Sequence, residues 1–94
     1  MPRPQRYVDE KLGRALKRLN TRSGSLAKRV RDAWEEMHVL RPDELVNAAS
    51  REDFRVLEET PELFVIEGAT PKLSDAVLRD LSERIRRIHD ANVR

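Results

Sequence analysis

Apolar residues recur every three or four positions along the C-terminal part of the chain. On a helix, this spacing places them in one stripe, which is typical of an amphipathic helix with a single buried face. The stripe consists of Leu73, Val77, Leu78, Leu81, Ile85 and Ile88. Thr70 is suited to cap this helix, and Pro71 fits its first position, where a missing N–H is harmless. The pattern predicts a long C-terminal helix that starts near residue 70.

Part of the same stripe also fits a seam between two helices. Four of its residues alternate in steps of three and four, as residues of a helix–helix interface do. They are Leu78, Leu81, Ile85 and Ile88. The pattern is too short to define a coiled coil, which favours packing within one core. These four residues are also the predicted dimerisation seam of an expected homodimer.

Two shorter helical stripes predict a helix hairpin in the N-terminal half. The first helix runs from Tyr7 to about Asn20, and the second runs from Leu26 to about His38 after a cap at Ser25. The connection between them is short, and Gly24 within it tolerates a positive φ, so the two helices should pack side by side. Residues 1–6 contain two prolines and two arginines and are predicted to be a flexible basic arm, with residues 7–94 as a single small domain.

The stretch that follows the hairpin predicts a third helix and then two strands. Pro42 with the acids after it favours the start of a short helix. Residues 54–57 and 63–66 are rich in β-forming residues and flank a turn at 59–62, which predicts a β-hairpin at about 54–66. Against this, Thr60-Pro61 repeats the Thr70-Pro71 pattern of a helix start. The expected fold is α+β and helix-rich, winged-helix-like or KH-like, with an all-α fold as the runner-up.

Composition narrows the chemistry open to the chain. Its 94 residues include no cysteine, which excludes disulfides, thiolate zinc sites and a cysteine nucleophile and favours a cytoplasmic location. Only three glycines occur, and no phosphate-binding or dinucleotide-binding motif is present. His38 and His89 are isolated from other candidate catalytic residues. We expect no enzyme activity, cofactor or metal, and the lack of a long apolar run argues against a membrane segment.

Charge is strongly segregated along the chain. Residues 1–31 hold ten basic and two acidic residues, a net charge of +8. Residues 32–75 hold four basic and twelve acidic residues, a net charge of −8. The net charge of the whole chain is only +2, but an asymmetry of this size between segments indicates a charged interaction surface.

The basic N-terminal third predicts a surface for nucleic acid. A row of cations attracts phosphates, and each neutralised phosphate releases counterions. The candidate residues are Arg3, Arg6, Lys11, Arg14, Arg18, Arg22, Lys28, Arg29 and Arg31. We therefore expect a non-enzymatic, regulatory and dimeric module that contacts the backbone of DNA or RNA with its basic helix hairpin.

A protein-binding adaptor or inhibitor is the alternative interpretation. In that case the acidic middle segment and the predicted β-hairpin would recognise a partner protein without nucleic acid, with Glu58, Glu59 and Glu62 as contact residues. A solvated arginine face and a small nuclease are further options. The charge pattern alone leaves DNA, RNA and protein partners open.

Overall fold

Within residues 4–64 and 70–93, which the computed structural model describes, the chain forms four α-helices and two 3₁₀ turns. The helices are α1 (Gln5–Leu19), α2 (Leu26–Met37), α3 (Ala48–Glu58) and α4 (Asp75–Asn92). The 3₁₀ turns are Pro42–Glu44, before α3, and Pro61–Leu63, after it. In this part of the chain, no helix has both the length and the apolar character needed to cross a bilayer.

The predicted α+β fold is wrong. Residues 54–57, the first predicted strand, belong to α3, and Leu63 from the second lies in a 3₁₀ turn. Residues 65 and 66, where that second strand was predicted to end, lie outside the described residues. No strand occurs in the described ranges, so the winged-helix-like and KH-like interpretations do not hold, and the all-α alternative does.

Helical periodicity, rather than β propensity, decides the structure of α3. Its buried residues are spaced by three, one and three, as on one face of a helix: Ser50, Asp53, Phe54 and Leu57. Asn47 caps the helix by accepting the N–H of Ser50 at 2.8 Å. Preference for strands depends on packing context, and here the burial of one helical face overrides it.

Two helix starts lie later in the chain than predicted. Pro42 begins a 3₁₀ turn instead of the expected third helix, and α3 starts only after Asn47. The C-terminal helix starts at Asp75 rather than near Thr70, because the hydroxyl of Ser74 accepts the N–H of Val77 at 3.3 Å and caps it there. Asp75 in the first turn adds a favourable negative charge at this helix end.

The predicted N-terminal helix hairpin is confirmed. Its first helix begins at Gln5, so Gln5 and Arg6 of the expected arm are helical, while residues 1–3 lie outside the described part of the chain. Gly24 turns the connection with φ +89°, and the Ser25 hydroxyl then caps α2 by accepting the N–H of Lys28 at 3.2 Å. Helices α1 and α2 consequently pack along each other.

Trp34 of α2 is the largest buried side chain of the core within the described residues. Its ring centroid lies 5.2 Å from that of Phe54 on α3 and 5.8 Å from that of Phe64, which meets it edge-on. Edge-to-face and tilted aromatic contacts at such distances stabilise the fold beyond the contribution from buried apolar area. Trp34 therefore joins α2 to α3 and to Phe64, which directly follows the second 3₁₀ turn.

A buried carboxylate fastens α3 to α4. Asp53 accepts hydrogen bonds from Arg84 at 2.9 Å and from two nitrogens of Arg87 at 3.0 and 3.1 Å. A hydrogen bond to Asp80 and a weaker interaction with Asp53 raise the pKa of Arg84, and the hydrogen bond to Asp53 raises the pKa of Arg87. One acidic side chain thus holds two arginines of the neighbouring helix.

We expect Asp53→Asn to lower the free energy of unfolding by about 2 kcal/mol, because two charge-assisted contacts between helices are weakened. Asp80→Asn is the matched control, since Asp80 is exposed and pairs with Arg84 within one helix. It should cost no more than about 0.5 kcal/mol. Urea denaturation measures both, and equal losses would show that Asp53 does not fasten the helices.

Candidate nucleic-acid interface

A groove runs between the C-terminal half of α1 and the face of α2 that carries Lys28, Asp32 and Glu36. It has a volume of about 690 Å³ and includes residues of the connection between the two helices. We call it the hairpin groove and define it by six charged lining residues: Arg14, Lys17, Arg18, Lys28, Asp32 and Glu36. Four of these residues are cationic and two are acidic, so the groove carries a net positive charge.

Helical spacing explains why the cations of α1 gather on this surface. Ala15 and Leu19 are fully buried and Leu16 packs against the core, so these residues set the inward side of this part of α1. Arg14, Lys17 and Arg18 are all exposed there. The turn at Gly24 then brings α2 back beside α1, and Lys28 joins the same groove. From Lys11 to Lys28 the sequence holds six basic residues and no acidic one.

Three of the predicted nucleic-acid-binding residues in the groove region also contact acids of the same chain. Arg14 lies 2.6 Å from Glu10, and Lys28 lies 3.4 Å from Asp32, each pair one helical turn apart. Arg18 reaches across the groove to Glu36 at 3.2 Å.

These pairs leave the cations accessible. The side chains of Arg14, Arg18 and Lys28 are each more than half exposed. Exposed ion pairs are typically worth no more than about 1 kcal/mol. The pairs therefore orient the cations without sequestering them from an anionic ligand.

Other predicted cations lie around the groove. Arg6 and Arg22 are exposed, and within the described residues neither forms an ion pair. The Lys11 ammonium lies 5.7 Å from the centre of the Tyr7 ring, within the range of a cation–π interaction. Arg3 lies outside the described part of the chain.

Two of the predicted cations make contacts within the chain instead of lining the groove. Arg29 donates to the backbone carbonyl of Leu19 at 3.2 Å and so ties α2 to the end of α1. Arg31 is only 10% exposed and pairs with Asp32 at 3.1 Å and Glu35 at 2.8 Å. Both are therefore poorly placed to contact a ligand in the hairpin groove.

The sequence analysis missed two cations in or near the hairpin groove, Lys17 and Arg86. Lys17 lines the hairpin groove, and its outward position follows from the same helical pattern that was used for Arg14 and Arg18. Arg86 of α4 donates to the side-chain oxygen of Asn20 at 2.7 Å and so reaches the end of α1. Because 66 residues separate the two, no local pattern could have indicated that contact.

The alternative protein-binding residues lie on a different part of the surface. Glu58, Glu59 and Glu62 are all exposed, and Glu59 pairs with Arg55 of its own helix at 2.6 Å. Close by in sequence, the Phe64 side chain is 57% exposed. It borders a cleft of about 200 Å³. Glu35 lines the same cleft, so the exposed aromatic side chain lies near an acidic one.

The predicted dimerisation seam is buried within the chain itself. Leu78, Leu81, Ile85 and Ile88 are at most 3% exposed and belong to the core formed with the other helices. They therefore offer no apolar surface to a second copy as the chain is folded here.

Comparisons with known proteins found that no family model, curated protein or solved structure matches the chain.

Within the described residues, no three histidine or carboxylate side chains come together in a group that could hold a metal ion.

Replacing Arg18 and Arg29 separately with methionine should distinguish a ligand-facing arginine from a structural one. Arg18→Met should change the free energy of unfolding by less than about 1 kcal/mol, because the Arg18 side chain is exposed although its partner Glu36 is partly buried. Arg29→Met should cost about 1–2 kcal/mol, because the Leu19 carbonyl loses its charged donor. Urea denaturation measures both values, and the reverse order would contradict these assignments.

Proposed function

We propose that the protein is a non-enzymatic module that binds the phosphate backbone of nucleic acid through the hairpin groove. One observation carries the proposal: the fold gathers Arg14, Lys17, Arg18 and Lys28 on one groove, within a stretch that contains no acidic residue. Arginine and lysine are the side chains that neutralise phosphates along a strand. As part of this proposal, the protein is cytoplasmic and has a regulatory role.

The two acids that line the hairpin groove, Asp32 and Glu36, are compatible with phosphate binding. A phosphate that approaches Arg18 or Lys28 competes with one partly buried carboxylate in each pair, Glu36 or Asp32. The pair is weak in water, whereas a phosphate contact also releases condensed counterions from the nucleic acid. Exchange of carboxylate for phosphate is therefore favourable at low salt and is progressively lost as salt rises.

Phosphate binding in the groove does not require a homodimer. The groove is formed by two helices of one chain. The seam from Leu78 to Ile88, through which a homodimer was predicted, is buried in the core. We therefore propose that one chain provides a complete binding surface.

Binding of a fluorescent random-sequence duplex across a salt series tests the proposal. The double variant Lys17→Ala with Arg18→Ala should bind about tenfold more weakly at low salt. The slope of log affinity against log salt concentration should decrease by the equivalent of about two phosphate contacts. Alanine favours helices, so α1 should remain intact.

The matched control is Arg41→Ala with Arg55→Ala, which removes the same charge from another surface. Arg41 follows the far end of α2, and Arg55 lies on α3, where it pairs with Glu52 and Glu59. This variant should bind nearly as the parent chain does. Equal losses in both variants, or no binding by the parent chain at low salt, would refute the proposal.

A protein partner is the second candidate function, and the exposed Phe64 favours it. An aromatic side chain that is more than half exposed, two residues after Glu62 in the sequence, resembles the aromatic anchors of protein interfaces. A partner that is captured after nuclease treatment, and that is lost on replacement of Glu58, Glu59 and Glu62 by glutamine, would support this function. Capture that disappears with nuclease would count against it.

A further inference from the structure

Helix α1 lies between two other helices and touches each along a different flank. On one flank, Arg18 reaches Glu36 of α2 at 3.2 Å. On the other flank, Asn20 accepts from Arg86 of α4 at 2.7 Å, and the Gln5 side chain donates to the backbone carbonyl of Asn92 at 3.0 Å. The face of α1 opposite the core carries Arg6, Glu10, Gly13, Arg14 and Lys17. We call it the outer ridge, and it has a cation-bearing helix on each side.

Gly13 lies on the part of α1 that is turned away from the core, close to Lys17. A Cβ atom at this position would meet no atom of the surrounding chain within 4 Å. Because glycine destabilises a helix relative to alanine, neither helix formation nor packing explains its presence. Its effect on the surface is to leave the helix backbone open to close approach one turn before Lys17, with Asp9 and Glu10 one turn earlier on the helix.

We propose that the ligand is double-stranded DNA and that the outer ridge of α1 lies in its major groove. Cations of the hairpin groove would contact the backbone of one strand, and Arg86 would contact the backbone of the other. The major groove of B-form DNA admits an α-helix, whereas the deep, narrow major groove of duplex RNA does not. This inference rests on the proposed function and names the ligand class for the same surface.

The composition of the surface supports a duplex over a single strand. Proteins that bind single strands stack the bases on exposed aromatic side chains. None of the residues that line the hairpin groove is aromatic. The exposed Phe64 packs against Trp34, on the flank of α2 where Arg31 and Glu35 lie, rather than in the hairpin groove.

Three probes of one sequence test the ligand class: duplex DNA, its single strand and the corresponding duplex RNA. The full chain should bind duplex DNA at least about tenfold more tightly than either of the others at equal salt, because only that probe offers a groove that fits a helix. Equal binding to all three probes would overturn the inference while leaving the proposed function intact. Failure to bind any probe would instead remove the proposed function.

A substitution at Gly13 tests the close approach of α1 without changing charge. Gly13→Leu should keep the chain folded, with an unchanged or raised melting temperature, since leucine favours helices and the site is open. Its affinity for duplex DNA should fall by about tenfold or more, as expected for a bulky side chain in a tight interface. Gly13→Ala is the matched control and should bind within about threefold of the parent chain. Unchanged binding by Gly13→Leu would overturn the inference.

Arg86→Ala tests the contact with the second strand. It should weaken binding to duplex DNA several-fold and reduce the salt dependence by about one phosphate contact, with a much smaller effect on the single strand. Arg41→Ala removes the same charge at the far end of α2 and should leave both affinities nearly unchanged. Equal effects of Arg86→Ala on duplex and single strand would contradict a two-strand contact.

Discussion

Burial of one face of α1 determines where the charges of the N-terminal third can lie. Val8, Leu12, Ala15 and Leu19 are at most 2% exposed, and their packing against the other helices fixes the rotation of α1 about its axis. Burial of a leucine or valine side chain contributes about 2 kcal/mol, so a rotation that exposed this face would lose several kcal/mol. The cations of α1 must consequently point outward, which creates both the hairpin groove and the ridge beside Arg86.

Much of the helical structure could be predicted from the sequence, because local periodicity reports which face is buried. The spacing of apolar residues identified α1, α2 and the body of α4. It failed at α3, where Asp53 and Ser50 occupy buried positions that a hydrophobic pattern does not reveal. Asp53 is buried because Arg84 and Arg87 reach it from α4, more than 30 residues away. Because the sequence does not reveal that tertiary contact, the β propensity of residues 54–57 was the only signal available for predicting their structure.

The candidate site was predictable only in part, for the same reason. Helical geometry indicates from sequence that Arg14 and Arg18 share an exposed side of α1, and the fold places both in the hairpin groove. The sequence does not indicate that Arg29 is held by the Leu19 carbonyl, because that contact depends on how the two helices cross. The sequence also does not indicate the position of Arg86, which reaches Asn20 only in the folded chain. Local patterns thus identify exposed cations, and tertiary packing decides which of them share a surface.

The most direct measurement of the central claim is a titration of the ¹⁵N-labelled full chain with duplex DNA, followed through its backbone amide chemical shifts. The account predicts that the shifts change along the outer side of α1 from Gly13 onward, at Gly24 and Lys28, and near Arg86. Amides of the acidic surface around Glu58 and Glu62 should remain unchanged. Changes concentrated on that acidic surface, or no change in any part of the chain, would contradict the claim that the cations carried outward by α1 form the binding surface.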